Sequence, residues 1–448
     1  MNRPTPARIH MRRYLWPAVL LTIIAVVLGA WFTWGHYYPR GPRLIQVPGD
    51  SSALGGASDA EKAGAVTGDP HTPSAPEATW EVATRLVHSP RTLKEDALTG
   101  TAYGPVALVV ASTPQPESSA SRSPSPKDEE PSTALISLDP ETGAVRWYRD
   151  ISPIDNDDHD FWSADSVFSP YNPPPRMLAS SPDGEYVAFS LLPVPDGPGL
   201  GISPESDPRA WINGVAVVSA RTGELVRIVQ TKENVLGQAL TNDALVVQTS
   251  TALRPSGGSI STYSLSNPGE VPSTWDSTGW LVGATSRGVV QSSVNPSDRC
   301  FDMSCSPGIV TISDPATGTV TETYTGVRWV LPRGGGLVRD VDSQGVPLAS
   351  PSDDAAGSEL VDLESGATLS TSGHDVTRIV TTTGTAWVLG TARDDEAGAP
   401  ARYVGWTPVG GSEGLRQEPL DVIEIESADD QSDSHSLRRT TLTMEGAG

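Results

Sequence analysis

Apolar residues recur on every second position along most of this chain, in short runs closed by Gly, Pro, Asn, Asp or Ser. Glu81–Val87, Val106–Ala111, Ala134–Leu138 and Ala144–Tyr148 are the first such runs. A period of two predicts half-buried β-strands. These four runs read as one unit: strand a, strand b, a variable connection, strand c, a tight turn and strand d. Ser181-Pro182-Asp183-Gly184 feeds another alternating run, Glu185–Ser190, and is read as a turn between strands a and b of the next unit. After residue 34 no segment sustains an apolar period of 3.6, so almost no soluble helix is expected.

The turn between strands c and d is written twice almost verbatim, as Asp139-Pro140-Glu141-Thr142-Gly143 and Asp314-Pro315-Ala316-Thr317-Gly318. Asp offers an acceptor to the turn's own N–H groups, Pro presets φ, and Gly takes the left-handed conformation that reverses the chain. Looser copies end at Gly223, Gly269, Gly366 (after Asp362) and Gly410, and the Gly-to-Gly steps are 80, 46, 49, 48 and 44 residues. A nearly constant period of this size is the mark of β-propeller blades. The expected fold is therefore all-β, a propeller of six four-stranded blades over residues 80–427. A seventh fits if the 80-residue step holds two units. Pro419–Glu426 is the candidate closing strand. Two Pro-rich inserts, Ser112–Ser132 (a low-complexity segment) and Pro193–Arg209, both fall between strands b and c. Insertions confined to one class of loop emerge on one face.

A different pattern precedes the strands. Tyr14–Trp34 carries no charge and is bracketed by aromatic residues; at 1.5 Å per residue it spans roughly 31 Å, enough to cross a membrane as a helix. Arg3, Arg8, Arg12 and Arg13 precede it and only Arg40 and Arg43 follow closely, which places residues 1–13 in the cytoplasm. Leu28-Gly29-Ala30-Trp31-Phe32 offers no convincing cleavage site, and no Cys follows for a lipid anchor. Residues 35–79, dense in Gly, Pro, Ser and Ala, are expected to form a disordered linker, and 428–448 a polar tail.

The chain of 448 residues has a formal charge of −23. The first 34 residues hold four Arg and no acid, leaving 27 basic against 54 acidic residues beyond them, a net −27. Such a domain repels nucleic acid and anionic lipid surfaces. Its basic residues are almost all Arg, and Ala, Gly and Pro abound, the composition expected of a GC-rich, actinobacterial genome. Cys300 and Cys305 have four residues between them and lie outside the membrane on this topology, where a small loop-closing disulfide is expected.

Candidate chemistry is sparse. Asp155-Asn156-Asp157-Asp158-His159-Asp160 gathers oxygen donors, with Asp155, Asp157 and His159 as a weak Ca²⁺ candidate set, but it lacks the Gly and Glu of an EF-hand loop. A solvated acidic loop is the favoured reading. Gly410-Gly411-Ser412-Glu413-Gly414 matches G-x-S-x-G, yet it falls at a blade turn with no helix after it. The scattered His residues form no ligand pair by spacing. No catalytic, cofactor-binding or metal residue is assigned, and the Trp and Tyr residues of the domain are read as blade packing.

Leu138-Asp139-Pro140-Glu141-Thr142-Gly143-Ala144-Val145-Arg146-Trp147 resembles the pyrroloquinoline-quinone-type propeller repeat, with its Asp-x-x-Thr-Gly-x-x-x-Trp consensus; this copy alone keeps the Trp. Ser181–Ser190 resembles the S-P-D-G turn of WD40-like and TolB-like propellers. The resemblance implies a propeller over about three quarters of the chain. It admits quinoprotein dehydrogenases and non-enzymatic envelope scaffolds alike. The dehydrogenases have eight Trp-docked blades, a Ca²⁺ beside the quinone and frequently a vicinal disulfide, and this chain departs on each count. The leading expectation is a non-enzymatic binding or scaffold module of the cell envelope, partnered by an envelope protein or polysaccharide and by the membrane. The alternative is an extracytoplasmic hydrolase or lyase on an envelope polysaccharide, with its site at the propeller channel. A quinone-dependent dehydrogenase comes third.

Overall fold

The computed structural model describes residues 43–46, 81–84, 97–112, 131–152, 178–195, 211–252, 257–294, 307–330, 335–371, 374–382, 384–391, 403–406, 420–427 and 435–442. Among them the fold is all-β, without an α-helix, in antiparallel sheets that resemble propeller blades. The segment 14–34, Cys300 and Cys305, the Asp155/Asp157/His159 set and residues 410–414 lie outside the described residues.

A short strand, β1 (Arg43–Gln46), comes first, followed by β2 (Glu81–Thr84). The first full sheet is β3 (Leu98–Thr101), β4 (Gly104–Ser112), β5 (Pro131–Leu138) and β6 (Val145–Ser152), in chain order, with β1 added outside β6. The second sheet is β7 (Leu178–Ser180), β8 (Tyr186–Pro195), β9 (Trp211–Ser219) and β10 (Leu225–Thr231). The third is β11 (Asn234–Leu240), β12 (Ala244–Ser250), β13 (Gly258–Ser264) and β14 (Ser273–Ser277).

The fourth and fifth units share one sheet. β15 (Trp280–Thr285), β16 (Gly288–Ser292), β17 (Gly308–Ser313) and β18 (Val320–Val330) run into β19 (Gly336–Val341), β20 (Gly357–Asp362) and β21 (Thr368–Ser370). The long β18 serves both: its first part pairs with β17, and Val327–Val330 pairs with β19. Gly326 separates the two parts at φ 67°, where a side chain would meet the Leu348 carbonyl. The last sheet is composite, ordered β2, β26 (His435–Leu442), β25 (Leu420–Ser427), β22 (His374–Thr381), β23 (Gly384–Thr391) and β24 (Tyr403–Trp406).

Middle strands are buried on both faces because the sheets stack face to face, so they read as continuous apolar runs. Val106, Ala107, Leu108 and Val109 of β4 are all buried, as are Ala134, Leu135 and Ile136 of β5. The outer strand β14 alternates instead. Each of these core clusters joins neighbouring units: Val217 and Val229 pack with Leu240 and Leu245, Val246 and Ile260 with Leu281 and Val289, and Val282 and Ile312 with Leu337 and Val361. Burying each such side chain is worth about 1.5–3 kcal/mol. Val82, Ile423 and Leu437 of the composite sheet share one cluster with Leu98, Val106 and Leu135 of the first, so chain start and chain end pack together.

Three features differ from the sequence pattern. The innermost strand of the first sheet is β3, whereas Glu81–Thr84 pairs with β26, Glu81 opposite Arg438 through Thr84 opposite His435. The tight hairpin Thr101-Ala102-Tyr103-Gly104, with Gly104 at φ 118° and the Thr101 hydroxyl donating to the Gly104 carbonyl, gives β4 a nearer partner. Within the segment read as linker, Arg43–Gln46 forms the strand β1. Within the segment read as polar tail, His435–Leu442 forms β26. It lacks apolar alternation because one of its buried positions is Arg439.

Candidate functional site

Five turns join the last two strands of a unit, β5 to β6, β9 to β10, β13 to β14, β17 to β18 and β20 to β21, and their chemistry can be followed atom by atom. Asp139 Oδ1 accepts from the backbone N–H of Glu141 and Thr142, at 3.0 and 2.9 Å, and from the Thr142 hydroxyl at 3.0 Å. Asp314 Oδ1 repeats the pattern with Ala316 N at 3.0 Å, Thr317 N at 2.8 Å and Thr317 Oγ1 at 2.9 Å. Asp362 Oδ2 accepts from Ser365 N at 2.7 Å and from the Ser365 hydroxyl. Gly143, Gly318 and Gly366 close these turns at φ 71°, 72° and 74°, and Gly223 does so at 66° after Ser219, whose carbonyl accepts from Gly223 N at 2.7 Å. Gly269 lies in the corresponding turn of the third sheet but is not left-handed; there Glu270 N bonds the Asn267 carbonyl at 3.1 Å.

The similar turns give their carboxylates different acidities. The Asp314 carboxyl is held below its ordinary value, first by the Thr317 backbone N–H and then by the Thr317 hydroxyl. For Asp362 burial is the leading influence and pushes the carboxyl up, against the Ser365 hydrogen bonds.

Each turn is bonded to a neighbouring unit, four of them by a polar side chain of that unit's last strand and the turn at Asp362 through Ser286. Trp147 Nε1 on β6 donates to the Ala220 carbonyl at 3.0 Å, and the buried Arg149 donates to the Gly223 and Thr222 carbonyls, both at 2.7 Å. Burial depresses the Arg149 guanidinium's pKa. Arg227 stands four residues past its turn glycine, the spacing Trp147 has from Gly143. It donates to the Ser264 and Asn267 carbonyls and stacks on Tyr263 at 5.1 Å. Trp275 Nε1 on β14 donates to the Pro315 carbonyl at 3.1 Å, with its ring against Gly318. Ser286 N donates to Glu364 Oε2 at 2.8 Å. At the chain ends, Arg439 on β26 donates to the Pro140 carbonyl at 3.0 Å and Glu141 Oε2 at 3.2 Å, while its other arm holds Asp421 Oδ2 at 2.6 Å.

A second docking Trp is thus Trp275, which the Asp-x-x-Thr-Gly-x-x-x-Trp spacing misses because it stands six residues, not four, beyond Gly269. Most of the other buried polar groups are also joined within the fold, Ser137 Oγ and Thr440 Oγ1 being exceptions among the described residues. The Asp340 carboxylate takes both arms of Arg328 at 2.9 Å and the Ser352 N–H at 2.9 Å, pinning the 342–356 connection. Among the described residues no group of three His, Cys, Asp or Glu is placed to hold a metal ion.

Beside the polar residues that these turns expose, apolar ones recur at one position. Two residues past the turn glycine, Leu225, Val271 and Val320 begin the outer strands of the second unit, the third unit's turn exit and the fourth unit, and are 46%, 86% and 52% exposed. Glu224, Glu270 and Glu322 flank them. A single exposed aliphatic residue needs no explanation, but recurrence at one repeat position makes a row.

No protein-family model matches the sequence, and no curated protein matches it. Among solved structures the chain is similar to the β-propeller domain of the Trilobed protease from Pyrococcus furiosus, at 10% identity over 73% of this chain and 88% of that one, TM-score 0.36. It is similar to BamB from Moraxella catarrhalis at 11% identity, 80% and 98% coverage and TM-score 0.31. TolB from Acinetobacter baumannii matches at 13% identity, 70% and 61% coverage and TM-score 0.29. At these identities the likeness is one of fold, not of activity or partner.

Proposed function

We propose that this chain is a single-pass, membrane-anchored, extracytoplasmic β-propeller that works as a non-enzymatic binding or scaffold module of the cell envelope. Tyr14–Trp34 is the anchor, with the Arg-rich residues 1–13 in the cytoplasm. The units close into a ring through the composite sheet, a reading supported by the pairing of β2 with β26 and by Arg439 docking on the first turn as Trp147 docks on the second.

The observation that carries the functional reading is the row Leu225, Val271 and Val320. Side chains at the joints are bonded to neighbouring turns, which stiffens the frame, whereas these three face solvent in register from one unit to the next. Flanking Glu residues on a domain of net charge −27 favour a partner surface that offers apolar groups beside basic ones.

A photo-crosslinking residue at Val271 in intact cells tests this. One envelope partner should be captured from that position and lost when Leu225 and Val320 are changed to Asp. Capture that is equal from the exposed Thr368, or unaltered by the two Asp substitutions, would refute the row as the binding surface. Protease added outside the cell should remove the domain and spare residues 1–13; the reverse pattern would overturn the topology.

A further inference from the structure

The first sheet carries a fifth strand that its neighbours do without. β1 lies antiparallel against the far half of β6, with Arg43 opposite Ser152, Leu44 opposite Ile151, Ile45 opposite Asp150 and Gln46 opposite Arg149. β10 and β14, the outer strands of the second and third sheets, end their sheets. Four strands therefore complete a unit of this fold, and β1 is not needed to close the core. It is also weakly held by its length: four residues cover an eight-residue strand. Residues 47–80 separate it from β2 in the sequence, so its pairing must offset the entropy of bringing two distant parts of the chain together with only a few backbone hydrogen bonds.

An uncovered outer strand presents unpaired N–H and C=O groups, a ready template for another extended chain. We propose that the outer edge of β6 is a strand-accepting site, filled in the resting chain by its own residues 43–46 and open to an extended peptide segment of a partner once β1 leaves. The backbone ladder would supply affinity. The register would fix the alignment, with the incoming segment taking the places of Arg43 to Gln46 opposite Ser152 to Arg149. This site lies on a different sheet from the row of exposed apolar residues, so the two can succeed or fail separately.

Full-length Ile45→Pro tests the site, because Pro removes the ladder N–H and is confined to sheet margins. The probe is a labelled peptide with the sequence of residues 41–48, and the same peptide with Pro at the Ile45 position is its control. Amide exchange over residues 149–152 should rise at least tenfold in the variant, and the probe should bind it at least tenfold tighter than it binds the parent chain. Deleting residues 43–46 should reproduce both effects, which guards against a folding defect peculiar to the Pro substitution. Unchanged exchange over 149–152, equal binding to parent and variants, or equal binding of the control peptide would each overturn the proposal.

Discussion

The indole ring of Trp147 lies directly on Gly223 of the next sheet's turn, where a β-carbon would stand 2.6 Å from Cδ2 and Cε3. Gly223 is also left-handed, at φ 66°. Gly223→Ala therefore meets both backbone strain and overpacking, and should cost on the order of 3 kcal/mol. Gly269, at the matching place one unit on, is not left-handed, and a β-carbon there would meet only Asn267 Oδ1, at 3.9 Å. Gly269→Ala should change stability by less than about 0.5 kcal/mol. Denaturant unfolding of the two variants separates them, and equal losses would contradict the docking role of Trp147.

The turn carboxylates should respond to acid with opposite sign. Asp314 has its folded pKa held below the ordinary 3.8, so its contribution is present above that value and is lost as pH falls through the folded pKa. Asp362 has its folded pKa raised, so stability linked to it is greatest below 3.8 and declines as pH rises through the folded value. Asp314→Asn should lower the unfolding midpoint at pH 7, and the gap to the parent should narrow as the pH falls below 3.8. Asp362→Asn keeps an acceptor for the Ser365 N–H and should match or exceed the parent at pH 7. Thermal unfolding between pH 3 and 7 checks both, and parallel curves for the two variants would refute the contrast.

Legibility of this fold in the sequence followed local chemistry. Asp139, Asp314 and Asp362 mark their turns because one carboxylate and one left-handed Gly suffice to build them, and both inserts fall between second and third strands, although Pro193–Pro195, read as insert, extends β8. Non-local pairing was not legible. Glu81–Thr84 has the alternation of an innermost strand, yet its partner is β26, more than 350 residues away, and no local signal names that partner. β26 itself is hidden because Arg439 occupies a buried position through its hydrogen bonds, not through apolar character. The joints were half legible: Trp147 follows a known spacing, while Arg227 performs the same docking with different chemistry.

Arg439 links the last sheet to the first, and its side chain is only 10% exposed. Arg439→Ala removes the donor to the Pro140 carbonyl and leaves Asp421 with Thr441 Oγ1 at 2.7 Å. The expected loss is about 2–4 kcal/mol. Arg439→Lys should recover only part of it, since one ammonium cannot match a planar fork that reaches Asp421 and the first turn together. Hydrogen exchange should rise in β2 and β26 before β8 or β12. Uniform loss of protection across all sheets would argue that Arg439 has no special place at the junction of the chain ends.

Gln248 makes the corresponding link between the third and fourth sheets, from a fully buried position on β12. Its Nε2 donates to the Gly279 carbonyl at 2.7 Å and its Oε1 accepts from Leu281 N at 2.8 Å, so one amide satisfies a donor and an acceptor beside the innermost strand β15. Gln248→Leu keeps much of the volume but strips the Leu281 N–H of this acceptor and leaves Gly279 with the weaker Ser277 hydroxyl contact at 3.3 Å. A cost of about 2–4 kcal/mol is expected. Gln248→Glu discriminates further. An ionised carboxylate can accept from Leu281 but sets a negative charge against the Gly279 carbonyl, so this variant should be less stable than Gln248→Leu at pH 7 and recover as the carboxyl protonates at lower pH. Unfolding midpoints of the two variants at pH 7 and pH 5 decide the matter: a Glu variant as stable as the parent at pH 7 would mean that the amide's donor is not used at this joint.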